Sequence, residues 1–135
     1  MDKNNAKEKY LEYQMINQQL NEMNKQLQLI DERLVELQLI DSYLEDLKKT
    51  KMGSEVLVPI SPGIYAKAEL KNNTELVVNV GSGVAVKKSV DDSKVLLSQQ
   101  KVEIEKIRHD LVHQMQEIDA KAREIEEDII RAQQG

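Results

Sequence analysis

The 135-residue chain is 40% hydrophobic and 32% charged, carries a net charge of −5, and contains no cysteine, phenylalanine or tryptophan. With 3% aromatic residues it has little bulk for a deep globular core, and its charged fraction is too high for a compact enzyme of this size. The lack of cysteine excludes disulfides and thiolate metal sites, and acidic and basic residues alternate rather than cluster, so nucleic acid is not an expected partner.

The N-terminal sequence MDKNNAKEKY is polar, and no apolar run approaches the roughly 20 residues that a membrane span requires. We therefore expect a soluble protein of the cytoplasm with no membrane partner. The composition favours one elongated domain over residues 1–135, built from long helices that share a narrow buried seam.

The first predicted element is a coiled-coil helix over residues 5–52. Apolar residues recur there at the steps of three and four that define a heptad seam. The seam residues are Tyr13, Ile16, Leu20, Met23, Leu27, Ile30, Leu34 and Leu37. Continuation through Ile40 gives two successive steps of three, which indicates local overwinding. Gly53 can adopt the left-handed conformation that ends a helix.

The second predicted element is the segment 54–89, which reads as four short strands in two β-hairpins. The runs EVLVPI, IYAKAEL, ELVVNV and VAVKKS are separated by the turn sequences SPG, KNNT and GSG. Pro59 cannot donate to a β-ladder, so its strand should contain a bulge or form an edge there.

So few strands leave unpaired edges, and we expect them to pair with strands of other subunits. The residues expected to mediate this oligomerisation are Val56, Val58, Ile60, Ile64, Ala66, Leu70, Val78, Val80, Val84 and Val86.

The third predicted element is a second coiled-coil helix over residues 90–133, with Ser89 as its N-cap. Its seam residues are Leu97, Ile104, Ile107, Leu111, Met115, Ile118, Ala122, Ile125, Ile129 and Ala132. Two successive steps of four between Ile107 and Met115 indicate a stutter.

The similar lengths of the helices favour an antiparallel pair within one chain, which brings Tyr13 to Ile129 and Leu20 to Ala122. The alternative is that the helices pair between two chains.

No residue pattern indicates catalysis, a metal site or a cofactor. His109 and His113 are spaced as a helical metal pair, but no third ligand is apparent. The sequence GSG is followed by a strand rather than by a helix, so no helix N-terminus is available to receive a phosphate. The carboxylates of the second helix have basic neighbours three or four residues away and are typical of helix-supporting pairs.

The chain consists, in order, of a long helix, the segment SEVLVPISPGIYAKAEL, a polar turn, the segment ELVVNVGSGVAVKKSVDDS and a second long helix. Over its whole length this arrangement resembles the alpha-type subunit of archaeal prefoldin. The resemblance rests on two motifs, which are LVP before a glycine-containing turn and VGSGVAV before an acidic helix start. The SPG turn departs from the GAG-like sequence of many members. The resemblance implies a hexamer of two alpha and four beta subunits, with the hairpins joined in intersubunit β-barrels.

The resemblance further implies an ATP-independent co-chaperone that holds unfolded or nascent proteins at its coiled-coil tips and delivers them to a group II chaperonin. The residues expected to contact clients are Tyr10, Leu11, Tyr13, Met15, Ile129 and Ile130. Several of them lie off the seam, and exposed apolar patches mark interaction sites, although isolated exposed apolar residues are common on any surface. The alternative function is a scaffolding coiled coil that docks one fixed partner through its strands.

Overall fold

The computed structural model describes residues 3–134 and confirms the predicted class of two long helices with two antiparallel β-hairpins. The elements in chain order are α1 Lys3–Lys49, β1 Glu55–Ser61, β2 Ile64–Glu69, β3 Glu75–Gly81, β4 Val84–Ser89 and α2 Val90–Gln134. They form two compact units, a central unit Val35–Val102 and a terminal unit made by the described residues of Met1–Leu34 and Glu103–Gly135. Among residues 3–134, no helix is both long and apolar enough to cross a bilayer.

The terminal unit is an antiparallel pairing of α1 with α2 inside one chain. Its core cluster consists of Ile16, Ala122 and Ile125, and Tyr13, Leu20, Ile118 and Ile129 pack against it. Tyr13 and Ile129 therefore join the same core, as the predicted pairing requires. Apolar side chains at heptad spacing bury one stripe of each helix against the other.

The predicted place of Ile107 in the seam of α2 is wrong, because a charged residue occupies the seam there. Ile107 is 57% exposed, whereas Arg108 is half-buried and its Nε donates to Oδ1 of Asp31 at 2.7 Å. With Arg108 in the seam, the half-buried residues Gln100, Ile104 and Arg108 are separated by two successive steps of four, so the stutter lies one heptad nearer the start of α2 than predicted. The long aliphatic stem of arginine fills the seam while its guanidinium reaches a carboxylate at the edge.

The central unit holds the ends of both helices together. α1 ends at Lys49, three residues before the expected limit, because the amide of Thr50 turns back to the carbonyl of Leu47 at 3.1 Å. Gly53 follows with φ +85°. At the other side of the hairpins, Ser89 Oγ accepts a 3.0 Å hydrogen bond from the amide of Asp92, which confirms the predicted cap of α2.

Ion pairs and one amide side chain stabilise the region where α1 ends and α2 begins. Lys94 is hydrogen-bonded to Glu45, and Lys48 donates to Asp91 Oδ1 at 2.8 Å. These lysines lower the pKa values of Glu45 and Asp91 below their ordinary range. Asn73, in the connector between the hairpins, donates to the carbonyl of Thr50 at 3.0 Å and so caps the end of α1.

The two hairpins repeat the same local structure at an interval of twenty positions. Val58 pairs with Ala66 in the first hairpin, and Val78 with Val86 in the second. Each first strand has a register shift two residues before its turn, between Pro59 and Ser61 and between Asn79 and Gly81. The expected irregularity at Pro59 is thereby confirmed, and its recurrence at Asn79 shows that proline is not required for it.

The repeat extends to polar contacts. Lys67 lies 3.9 Å from Glu55, and Lys87 lies 3.9 Å from Glu75. Each hairpin is a separate two-stranded sheet. Both sheets therefore present unpaired strand edges.

Candidate interaction surfaces

An open apolar cleft of about 400 Å³ lies where the first turns of α1 meet the last turns of α2. We call it the terminal cleft; it is lined by Ala6, Lys7, Tyr10, Leu11, Ile129, Ala132 and Gln133. The seam continues here with alanine on both helices, so its small side chains leave a hollow that larger residues would fill. Tyr10 and Leu11 are more than half exposed and form one wall of the cleft.

The six residues predicted to contact clients divide into an exposed and a half-buried group. Tyr10, Leu11, Met15 and Ile130 are exposed, with Met15 at 69%. Tyr13 and Ile129 are half-buried against the core cluster, although Ile129 also lines the terminal cleft. The structure thus brings Tyr10, Leu11 and Ile129 together at the terminal cleft, whereas Met15 and Ile130 do not line it. Their contact with clients stays a prediction.

One edge of the terminal unit is closed by ion pairs between the helices. Lys9 Nζ donates to Asp128 Oδ2 at 2.7 Å, and Lys121 Nζ lies 3.7 Å from Glu12 Oε1. The hydrogen bond from Lys9 lowers the pKa of Asp128, against the opposing effect of burial. These contacts hold the helix ends in register beside the cleft.

A second apolar cleft, of about 300 Å³, opens farther along the terminal unit. Its floor is formed by Leu20, Leu27 and Met115, and its rim includes Asn24 and Val112. Sequence reasoning missed this cleft. The available signal was Val112, an apolar residue beside the seam residue Leu111 with no predicted place in the core.

The residues predicted to mediate oligomerisation lie on the two hairpins. Residues opposite each other in an antiparallel pair share a face, which groups Val56 and Val58 with Ala66, and Val78 with Val86. The half-buried members of the set are Val56, Ala66, Leu70, Val78 and Val86, and the exposed members are Val58, Ile60, Ile64, Val80 and Val84.

The opposite face of each hairpin also carries apolar residues, which the sequence prediction left out. Leu57 is 61% exposed and Val77 is 73% exposed, at equivalent positions of the repeat. The period-two alternation of a strand could have indicated them, since Leu57 lies between Val56 and Val58, and Val77 directly precedes Val78, which were assigned to the other face. Both faces of the hairpins are therefore suited to contacts.

The histidines of α2 are exposed, and Nε2 of His113 lies 3.1 Å from Oε1 of Glu117. Within residues 3–134, no group of three or more His, Cys, Asp or Glu side chains is arranged to hold a metal ion.

Comparisons with known proteins give one consistent result. The family model described as "Prefoldin subunit" matches residues 16–135. The prefoldin subunit alpha of Thermofilum pendens is 29% identical over 118 residues, which cover 87% of this chain and 92% of that protein. The prefoldin subunit alpha of Methanobrevibacter smithii is 34% identical over 115 residues, 78% of each chain.

Among solved structures, the fold is similar to a chain in the cryo-EM structure of filamentous PFD from Methanocaldococcus jannaschii. The TM-score is 0.76 at 18% identity, and the match covers 84% of this chain and 93% of the other.

Proposed function

The chain belongs to the prefoldin family as an alpha-type subunit, and we propose that it is an ATP-independent co-chaperone subunit that holds unfolded or nascent proteins and delivers them to a group II chaperonin. Prefoldin is a family of chaperones rather than of enzymes. The cytoplasm, where nascent chains and such chaperonins occur, is its proposed location.

The observation that carries the proposal is the terminal cleft. It is apolar, open and bordered by the exposed side chains of Tyr10 and Leu11. An exposed apolar patch on an otherwise highly charged chain fits a surface that binds other polypeptides. Met15, exposed nearby on α1, adds a flexible and polarizable contact that adapts to different partners.

Such a shallow site binds a single client segment weakly, and this suits an oligomer. When several coiled coils act on one client, each further contact is intramolecular and the combined affinity rises without a deep pocket. Holding in this way needs no nucleotide, because release requires only that the individual weak contacts open.

The hairpins support assembly with other prefoldin subunits. Two separate two-stranded sheets with exposed valine and isoleucine side chains are not stable as isolated modules. We propose that they pair with beta-type subunits in β-barrels of a hexamer with two alpha and four beta chains. The equivalence of the two hairpins supports two similar docking positions on each alpha chain.

The experiment compares variants of the assembled complex. Leu11→Ser combined with Ile130→Ser should weaken suppression of aggregation of denatured citrate synthase, measured by light scattering, because it replaces exposed apolar surface. Val95→Ser with Val102→Ser is the matched control, since these valines are exposed in the central unit. Native mass spectrometry should give a two-to-four assembly for both variants.

Two results would contradict the proposal. One is unchanged aggregation kinetics with the Leu11 and Ile130 variant, and the other is a complex that binds a single folded partner but protects no denatured protein. The second result would instead support the scaffolding function.

A further inference from the structure

The terminal cleft and the second apolar cleft open on the same flank of the terminal unit. Tyr10 and Asn24, at the two clefts, are two heptads apart on α1, and Gln133 and Asp119 are two heptads apart on α2. Positions separated by whole heptads face the same side of a coiled coil. At 1.5 Å per residue, the cleft centres are separated by about 21 Å.

This flank differs from the other in access. Across the other flank run the ion pairs of Lys9 with Asp128 and of Glu12 with Lys121. The open flank is bounded at its inner end by the 2.7 Å pair of Arg108 and Asp31. It forms a groove that starts at the terminal cleft and ends at that pair.

A row of neutral amide side chains follows this groove along α1. The row, which we call the amide ridge, consists of Gln14, Asn17, Asn21, Asn24 and Gln28. Its steps of three and four keep it parallel to the seam. Within residues 3–134, none of these amides has a hydrogen-bond partner in the protein, and each offers two donors and an acceptor.

We propose that this flank binds one extended segment of a non-native client, with apolar side chains in the two clefts and the client backbone along the amide ridge. The proposal rests on the holding function above and specifies its ligand. An unfolded chain carries unpaired backbone N–H and C=O groups, and neutral amides can satisfy both kinds. A strongly charged partner would find no matching charge on the ridge.

The spacing of the clefts sets the length of the segment. An extended chain advances about 3.3 Å per residue, so about six or seven residues connect the two clefts, and about ten fill both. A five-residue segment reaches only one cleft. Occupation of both clefts by one chain makes the second contact intramolecular and strengthens binding.

The test uses the complex with a beta-type subunit and three fluorescent peptides that are uncharged and blocked at both ends. One has eleven residues with leucines near both ends, one has five residues with leucines at one end, and the third is the long peptide with alternate backbone nitrogens methylated. Fluorescence anisotropy gives their affinities. We expect the long peptide to bind about tenfold more tightly than either of the other two.

The variant pair tests the ridge itself. Asn17→Ala with Asn24→Ala should weaken binding of the long peptide about five- to tenfold, because it removes two amides of the ridge. Gln19→Ala with Gln26→Ala is the matched control, since it removes two exposed amides of α1 from the other flank and should change the affinity less than twofold. The methylated peptide should not distinguish the two variants.

Equal effects of the two variants, or equal affinities of the long and short peptides, would overturn the proposal. A change in subunit composition with Asn17→Ala and Asn24→Ala would show that the groove is a subunit contact, and would overturn it as well. If the short peptide binds and responds to Leu11→Ser while the ridge variant has no effect, only the extended groove fails. If no peptide binds and Leu11→Ser changes nothing, the holding function fails too.

Discussion

Truncation of Ile125 to alanine tests whether the small core of the terminal unit keeps its helices paired. Ile125 is 7% exposed and packs in one cluster with Ile16 and Ala122. Removal of its outer carbons loses about 2.4 kcal/mol of burial at about 0.8 kcal/mol per methylene. A cavity adds to this loss, although a two-helix pair can partly collapse, so we expect a total of about 2–3.5 kcal/mol.

The assay is urea unfolding of the chain at fixed concentration, followed by far-UV circular dichroism. Ile130→Ala is the control on the same helix, because Ile130 is 46% exposed and its truncation should cost less than about 1 kcal/mol. Hydrogen exchange should show faster exchange around Ile16 and unchanged exchange around the buried Val90 of the central unit. Equal losses for the two variants, or equal loosening around Val90, would refute the assignment of this core.

The remaining predictions concern acid, a turn and the hairpin face. Lys9 lowers the pKa of Asp128 below the ordinary 3.8, so the pair stabilises the folded chain above that pH, and this stabilisation is lost as the pH falls through the lowered pKa. Asp128→Asn should therefore reduce the acid sensitivity of the urea midpoint below about pH 4. Gly63 has φ +82° with open space at its Cβ position, so Gly63→Ala should lower the free energy of unfolding by about 1 kcal/mol through backbone strain alone. If alanine costs as much in a turn redesigned to have a negative φ at this position, backbone strain is not the cause. Val78→Asp should abolish assembly with a beta-type subunit in native mass spectrometry while helical circular dichroism is kept; normal assembly would exclude this face from the contact.

The fold could be predicted because its signals are local. The steps of three and four around Ile16 and Ile125 specify a seam, and the glycine turns between β-branched runs specify hairpins. The stutter was predicted one heptad too far along α2, because a rule based on apolar residues chose Ile107 over its neighbour Arg108. Only the position of Asp31 on the facing helix shows why a charged residue is accommodated there.

The surfaces could be predicted only in part. The exposure of Leu11 and Met15 followed from their place off the seam, since the heptad pattern assigns a direction to every residue of α1. The second cleft did not follow, because it depends on how Leu27 and Met115 meet across the pair. Such contacts between distant segments leave no mark in either segment alone.

The duplicated hairpin also has a consequence for how a complex stops growing, if its strand edges dock other subunits as proposed above. A chain with two equivalent docking edges can hold two partners at once. A partner with a single edge leaves no free edge after it docks, so two such partners complete one chain and no further subunit can be added at its hairpins. The number of partners is then set by the number of hairpins.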